Sequence, residues 1–88
     1  MERKLSVYII TPEMDDRSNF LIPETMSCET IIRLVCRMLS KRYNTVFHEN
    51  ECQLISCETG GYLDKSSSLR DMNIVDGSRL ILLGGCHG

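Results

Sequence analysis

The chain has 88 residues, 42% of them hydrophobic and 25% charged, with a formal net charge of −2 and a pI near 5.6. That length confines it to one hydrophobic core, and apolar residues in short patterned runs exclude a disordered chain. Ten Lys and Arg scattered among twelve Asp and Glu give no electrostatic reason to bind nucleic acid, and no apolar run approaches the ~20 residues that span a bilayer.

The opening Met1-Glu2-Arg3-Lys4 runs straight into a strand pattern and does not read as a secretory signal, so a cytoplasmic location is expected. From Lys4 to Ile10, Leu5, Val7 and Ile9 alternate on one face, and the β-branched and aromatic content supports a strand that Thr11-Pro12 ends. The polar stretch Glu13 to Asn19 offers a turn, and Phe20-Leu21-Ile22, closed by Pro23, returns as the second strand of a hairpin. Glu13, Asp15 and Asp16 in that turn lack the glycine and terminal Glu of a calcium loop and read as a solvated turn.

From Ser27 the period changes. Ile31, Leu34, Val35, Met38 and Leu39 fall at the spacing of one apolar helix stripe, with Ser27 as N-cap, Glu29 in the first turn, and Lys41 and Arg42 near the C-terminal end. The helix is expected from Cys28 to Tyr43, its stripe packed on Leu5, Val7, Ile9, Leu54, Leu80 and Leu82, and its basic face solvated. Cys52 to Cys57 reads as a third strand, Gly60-Gly61 as a tight turn, and Tyr62-Leu63 as a very short returning strand. Leu69 to Ile74 is expected to form a single helical turn. Asp76-Gly77 then turns into Arg79-Leu80-Ile81-Leu82-Leu83, whose continuous apolar run suits a buried central strand.

Five cysteines, at 28, 36, 52, 57 and 86, are an odd number with no C-x-x-C pair. Reduced, metal-free thiols acting as small hydrophobes are the simplest reading. A zinc site needs four converging ligands, and His48 and His87 fall in a loop and a tail, so no metal is expected.

One helix against one mixed sheet satisfies this order of elements. The segment Leu69-Arg70-Asp71-Met72-Asn73-Ile74-Val75-Asp76-Gly77-Ser78-Arg79-Leu80-Ile81-Leu82 resembles the C-terminal third of ubiquitin-like proteins, with Met72 where Tyr is typical. Within that family the hairpin end Leu21-Ile22-Pro23, the helix segment Ile31-Ile32-Arg33-Leu34-Val35 and the Asp76-Gly77 turn are similar to the bacterial YukD/EsaB branch associated with type VII secretion. The chain is also similar to modifiers of bacterial ubiquitination-like gene clusters. The resemblance implies an α+β ubiquitin-like β-grasp fold, a mixed sheet of four to five strands with one helix packed across it. It places the domain over residues 1–83 and a flexible glycine-containing tail over residues 84–88.

The same resemblance implies a modifier whose C-terminal glycine is adenylated by an activating enzyme and passed through a thioester to a target. The partners would be activating and conjugating enzymes and a deconjugating peptidase. The alternative is a non-covalent adaptor or regulator whose partners are secretion-system components. Two termini compete: Gly84-Gly85 is the familiar ending but lies close to the last strand and needs removal of Cys86 to Gly88, whereas Gly88 stands farther clear and needs no processing. A soluble glycine-rich end without function is the plainer alternative.

In the adaptor case the open sheet face would bind, and alternation alone puts Tyr8, Ile10 and Ile55 there. Cys86-His87 suggests a thiolate and imidazole pair, but adjacent residues on a tail have neither fixed geometry nor a pocket, so no enzymatic activity and no cofactor are expected.

Overall fold

The computed structural model describes residues 3–84. Four strands, β1 (Lys4–Thr11), β2 (Asp16–Pro23), β3 (Gln53–Ser56) and β4 (Arg79–Leu83), form one mixed sheet in the order β2-β1-β4-β3. β1 pairs antiparallel with β2 and parallel with β4, and β3 pairs antiparallel with β4. The helix α1 (Cys28–Tyr43) packs across one face. This is the ubiquitin-like β-grasp arrangement that the resemblance implies, and the order of elements points to its α+β class.

The hairpin is longer and tighter than its sequence suggests. Pro12–Met14 make one 3-10 turn, Asp15 takes a left-handed φ of 50°, and β2 already starts at Asp16. The polar run from Asp16 to Asn19 is strand because β1 supplies its hydrogen-bonding partner, with Thr11 opposite Asp16 and Tyr8 opposite Asn19. Asp16 is no solvated turn residue. It is 6% exposed and joins the hairpin to the far end of the helix.

α1 has the expected bounds. The Ser27 hydroxyl accepts from the Thr30 amide at 3.3 Å, and Asn44, with φ 49°, ends the helix by donating its amide to the Ser40 carbonyl. Its buried face is Cys28, Ile31, Ile32, Val35, Cys36 and Leu39. That corrects the expected stripe: Leu34 is 47% exposed, and Met38 only flanks the core. Both border an apolar groove of ≈ 210 Å³ between the helix and β2, which Phe20, Ile22 and Met26 also line.

Tyr62 makes a single bridge to Ile55 rather than a further strand. Residues 69–74 form a turn rather than a helix; Ile74 N–H reaches back to the Leu69 carbonyl, and Asn73 has φ 58°. The connection between β3 and β4 still contributes Leu63, Leu69 and Ile74 to the core. No helix among the described residues is long and apolar enough to cross a membrane.

Candidate functional site

Strand alternation divides the sheet into two faces. Leu5, Val7, Ile9 and Thr11 of β1, Leu54 and Ser56 of β3, and Leu80 and Leu82 of β4 point toward the helix and are buried. Tyr8, Ile10, Ile55, Ile81 and Leu83 point the other way and are half-buried. The register aligns them: Ile10 lies opposite Ile81, and Ile81 opposite Ile55, so three isoleucines form one row across β1, β4 and β3. At the usual strand spacing that row spans about 10 Å.

Tyr8 is paired with Arg79 on one side and Asn19 on the other, while Arg17 lies beyond Ile10 on β2. The patch is therefore apolar along its middle and carries guanidinium groups at its margins. Among the described residues, neither Arg17 nor Arg79 takes part in a side-chain ion pair.

The structure thus places Tyr8, Ile10 and Ile55 on one face, and it adds Ile81. Sequence reading misses Ile81 because the apolar run from Leu80 to Leu83 reads as buried on both sides. The signal that would have found it is that Leu80 and Leu82, facing inward, force Ile81 outward.

Where β4 ends, Gly84 is held from three directions. Its N–H donates to the Glu13 carboxylate at 2.9 Å, and its carbonyl accepts from the Cys52 thiol at 3.5 Å. Its φ is +83°, and a Cβ there would lie 2.5 Å from the Glu51 carbonyl oxygen, closer than any side chain tolerates. Glu13 and Gly84 are 71 positions apart, so periodicity carries no trace of their contact. The other candidate termini, Gly85 and Gly88, lie outside the described residues.

At the hairpin end of the sheet, Asp16 accepts from Tyr43 Oη at 2.6 Å, from Arg42 at 2.8 Å and from Ser18 Oγ at 3.2 Å. Burial alone would raise its carboxyl, but the bonds from Tyr43 and Arg42 outweigh that and hold it below the ordinary 3.8. This group is a structural clasp between hairpin and helix rather than a site. No three His, Cys, Asp or Glu side chains among the described residues cluster as metal ligands.

No protein-family model matches the chain, and no curated protein matches it by sequence. Solved structures do. The ubiquitin of Caldiarchaeum subterraneum superposes with a TM-score of 0.78 at 14% identity, covering 97% of this chain and 98% of that one. The ubiquitin-like domain of the Arabidopsis thaliana protein At2g32350 gives a TM-score of 0.74 at 15% identity, over 97% of this chain and 81% of that one. The N-terminal ubiquitin-like domain of the 4931431F19Rik protein gives 0.70 at 23% identity, over 100% of this chain and 81% of that one. At such identities the likeness establishes the ubiquitin-like fold, which serves many functions.

Proposed function

We propose that this chain is a ubiquitin-like protein modifier of the kind used by bacterial ubiquitination-like pathways, joined to targets through the carboxylate of a C-terminal glycine. The observation that carries the reading is the fixed backbone at the end of β4, where Glu13 and Cys52 hold Gly84 just ahead of the remaining glycine-containing sequence. Similarity over nearly the full length of the archaeal ubiquitin supports it. The reactive carboxylate is assigned to Gly88, or to Gly85 once residues 86–88 are removed.

In this mechanism the glycine carboxylate attacks the α-phosphate of ATP on an activating enzyme, forming an acyl adenylate and releasing pyrophosphate. A cysteine thiolate of that enzyme displaces AMP to give a thioester, and a target amine then displaces the thiolate. The row of Ile10, Ile81 and Ile55, flanked by Arg17 and Arg79, supplies the surface that the enzymes hold. Apolar side chains with acidic neighbours are the complementary chemistry.

The same row favours one other reading, a non-covalent YukD/EsaB-like adaptor for secretion-system components, because it needs no carboxylate. The experiment compares the full chain, Gly88→Ala and a chain ending at Gly84 in the native host, with conjugates read by mass spectrometry. Loss of conjugates in both variants identifies Gly88 as the terminus. Conjugates through Gly85 that persist in Gly88→Ala identify the processed form. Full biological activity of the chain ending at Gly84 overturns covalent modification in favour of the adaptor.

A further inference from the structure

Cys36 lies on α1, Cys52 lies just ahead of β3, and their sulfurs are 3.5 Å apart inside the core. Both are shut off from solvent, at 2% and 0% exposure. An isolated core thiol is an inert filler. A contacting pair differs, because oxidation of either sulfur places the other within reach as a nucleophile. Cys52 also sits against two carbonyl oxygens, of His48 at 3.6 Å and of Gly84 at 3.5 Å. The segment ahead of it, between Asn44 and Glu51, holds an isolated bridge at Phe47 and one 3-10 turn, Glu49–Glu51, and such segments open more readily than paired strands or long helices.

We propose that Cys36 and Cys52 form a peroxide-sensitive dithiol that closes to an intramolecular disulfide, and that closure removes the thiol proton holding the Gly84 carbonyl. Cys52 acts first. Cys36, as donor to the Cys52 sulfur, favours a thiolate there, whereas burial and that same bond push Cys36 up to about 12. Burial also raises Cys52, and Glu13 and Glu49 add to the rise while Lys65 opposes it, so the first attack is slow.

The Cys52 thiolate attacks one oxygen of hydrogen peroxide. An S–O bond forms, the O–O bond breaks, and hydroxide leaves with the thiol proton as water. Cys36 then attacks the sulfenic sulfur, the S–S bond forms, the S–O bond breaks, and a second water leaves with the Cys36 proton. Two thiols are oxidised by two electrons and the peroxide is reduced to two waters. The sulfurs must approach by about 1.5 Å to reach disulfide length.

In the disulfide, Cys52 no longer has a proton to donate, so the Gly84 carbonyl loses that donor while the Glu13 bond to the Gly84 N–H stays. Oxidation thereby loosens the exit of the chain from β4. The proposal does not depend on the modifier reading, since disulfide formation is measured without any conjugating partner.

The test exposes the full chain, and in parallel a Cys57→Ser, Cys86→Ser variant that retains Cys28, Cys36 and Cys52 as its thiols, to hydrogen peroxide. Each is then denatured, alkylated and mapped by mass spectrometry. The expected product is lighter by two hydrogen atoms, contains a Cys36 to Cys52 linked peptide and leaves Cys28 alkylated. Adding Cys36→Ser should stop the reaction at a Cys52 sulfenic acid that dimedone traps, and dithiothreitol should restore the parent. In nuclear magnetic resonance spectra the Gly84 carbonyl should shift on oxidation while Leu5 and Val7 stay in place. Full alkylation of Cys36 and Cys52 after Cys57 of the unsubstituted chain has been consumed overturns the proposal, as does linkage only through other cysteines. A disulfide that leaves Gly84 unmoved overturns the coupling to the exit.

Discussion

Gly84 and Gly77 form a natural pair for separating two costs of adding a side chain. Their φ values are nearly equal, +83° and +85°, so alanine at either must enter the left-handed region. They differ in space. A Cβ at Gly77 meets nothing within 4 Å, whereas at Gly84 it meets the Glu51 carbonyl oxygen at 2.5 Å. Gly77→Ala should therefore cost about 1 kcal/mol, the conformational part alone, and Gly84→Ala about 2–3 kcal/mol once the backbone clash is added. Urea denaturation with an unchanged slope measures both; equal midpoints would mean that the 49–51 turn yields freely. The consequence for function is practical. Gly84 belongs to the folded body, so a loss of activity in a Gly84 variant would not separate a lost terminus from a lost fold.

At the scale of elements, α1 holds two overlapping apolar stripes. One is Ile31, Leu34, Val35, Met38 and Leu39; the other is Cys28, Ile31, Ile32, Val35, Cys36 and Leu39, with the same i, i+3, i+4 spacing. The fold uses the second, because the helix turns its two cysteines and Ile32 onto the sheet and leaves Leu34 at the rim of the groove beside β2. Leu39, fully buried, should lose ~2–5 kcal/mol on replacement by Ala. Leu34→Ala, at 47% exposure, should lose less than about 1 kcal/mol. Thermal melts of the two variants decide which stripe forms the core, and a reversed order would restore the first.

The helix bounds, β1 and the core residues of β3 and β4 were legible because capping, period and alternation are local. The choice of stripe was not, since it depends on which face meets the sheet. The start of β2 was equally hidden: nothing in Asp16-Arg17-Ser18-Asn19 signals a strand until β1 pairs with it. On the open face, alternation yielded Tyr8, Ile10 and Ile55, but their assembly with Ile81 into one row required the parallel pairing of the first strand with the last.

Across the whole molecule, the helix layer is tied to the sheet at one end by Asp16, which reaches Arg42 and Tyr43 over 26 and 27 positions of sequence. Its carboxyl is held below 3.8, so the folded state binds that proton less readily than the unfolded chain. The clasp's contribution is therefore complete above about 3.8 and is lost as the pH falls through the lower folded value. Tyr43 has the opposite sign. Its hydrogen bond to Asp16, with burial, raises the phenol above 10.0, so the bond contributes below that pH and is lost as the pH rises through the higher folded value. Solvent around Arg42 screens the ion-pair part, which leaves the two titrations as the clearest readout. Asp16→Asn should be less stable than the parent at neutral pH, with the gap closing in acid below 3.8. Tyr43→Phe should be less stable at neutral pH too, but its gap should close in alkali above 10.0. Urea titrations across pH for the three proteins test both limbs. Gaps that stay constant from acid to alkali would show that Asp16 acts by packing alone, and that the charge it keeps within the fold does not hold the helix to the hairpin.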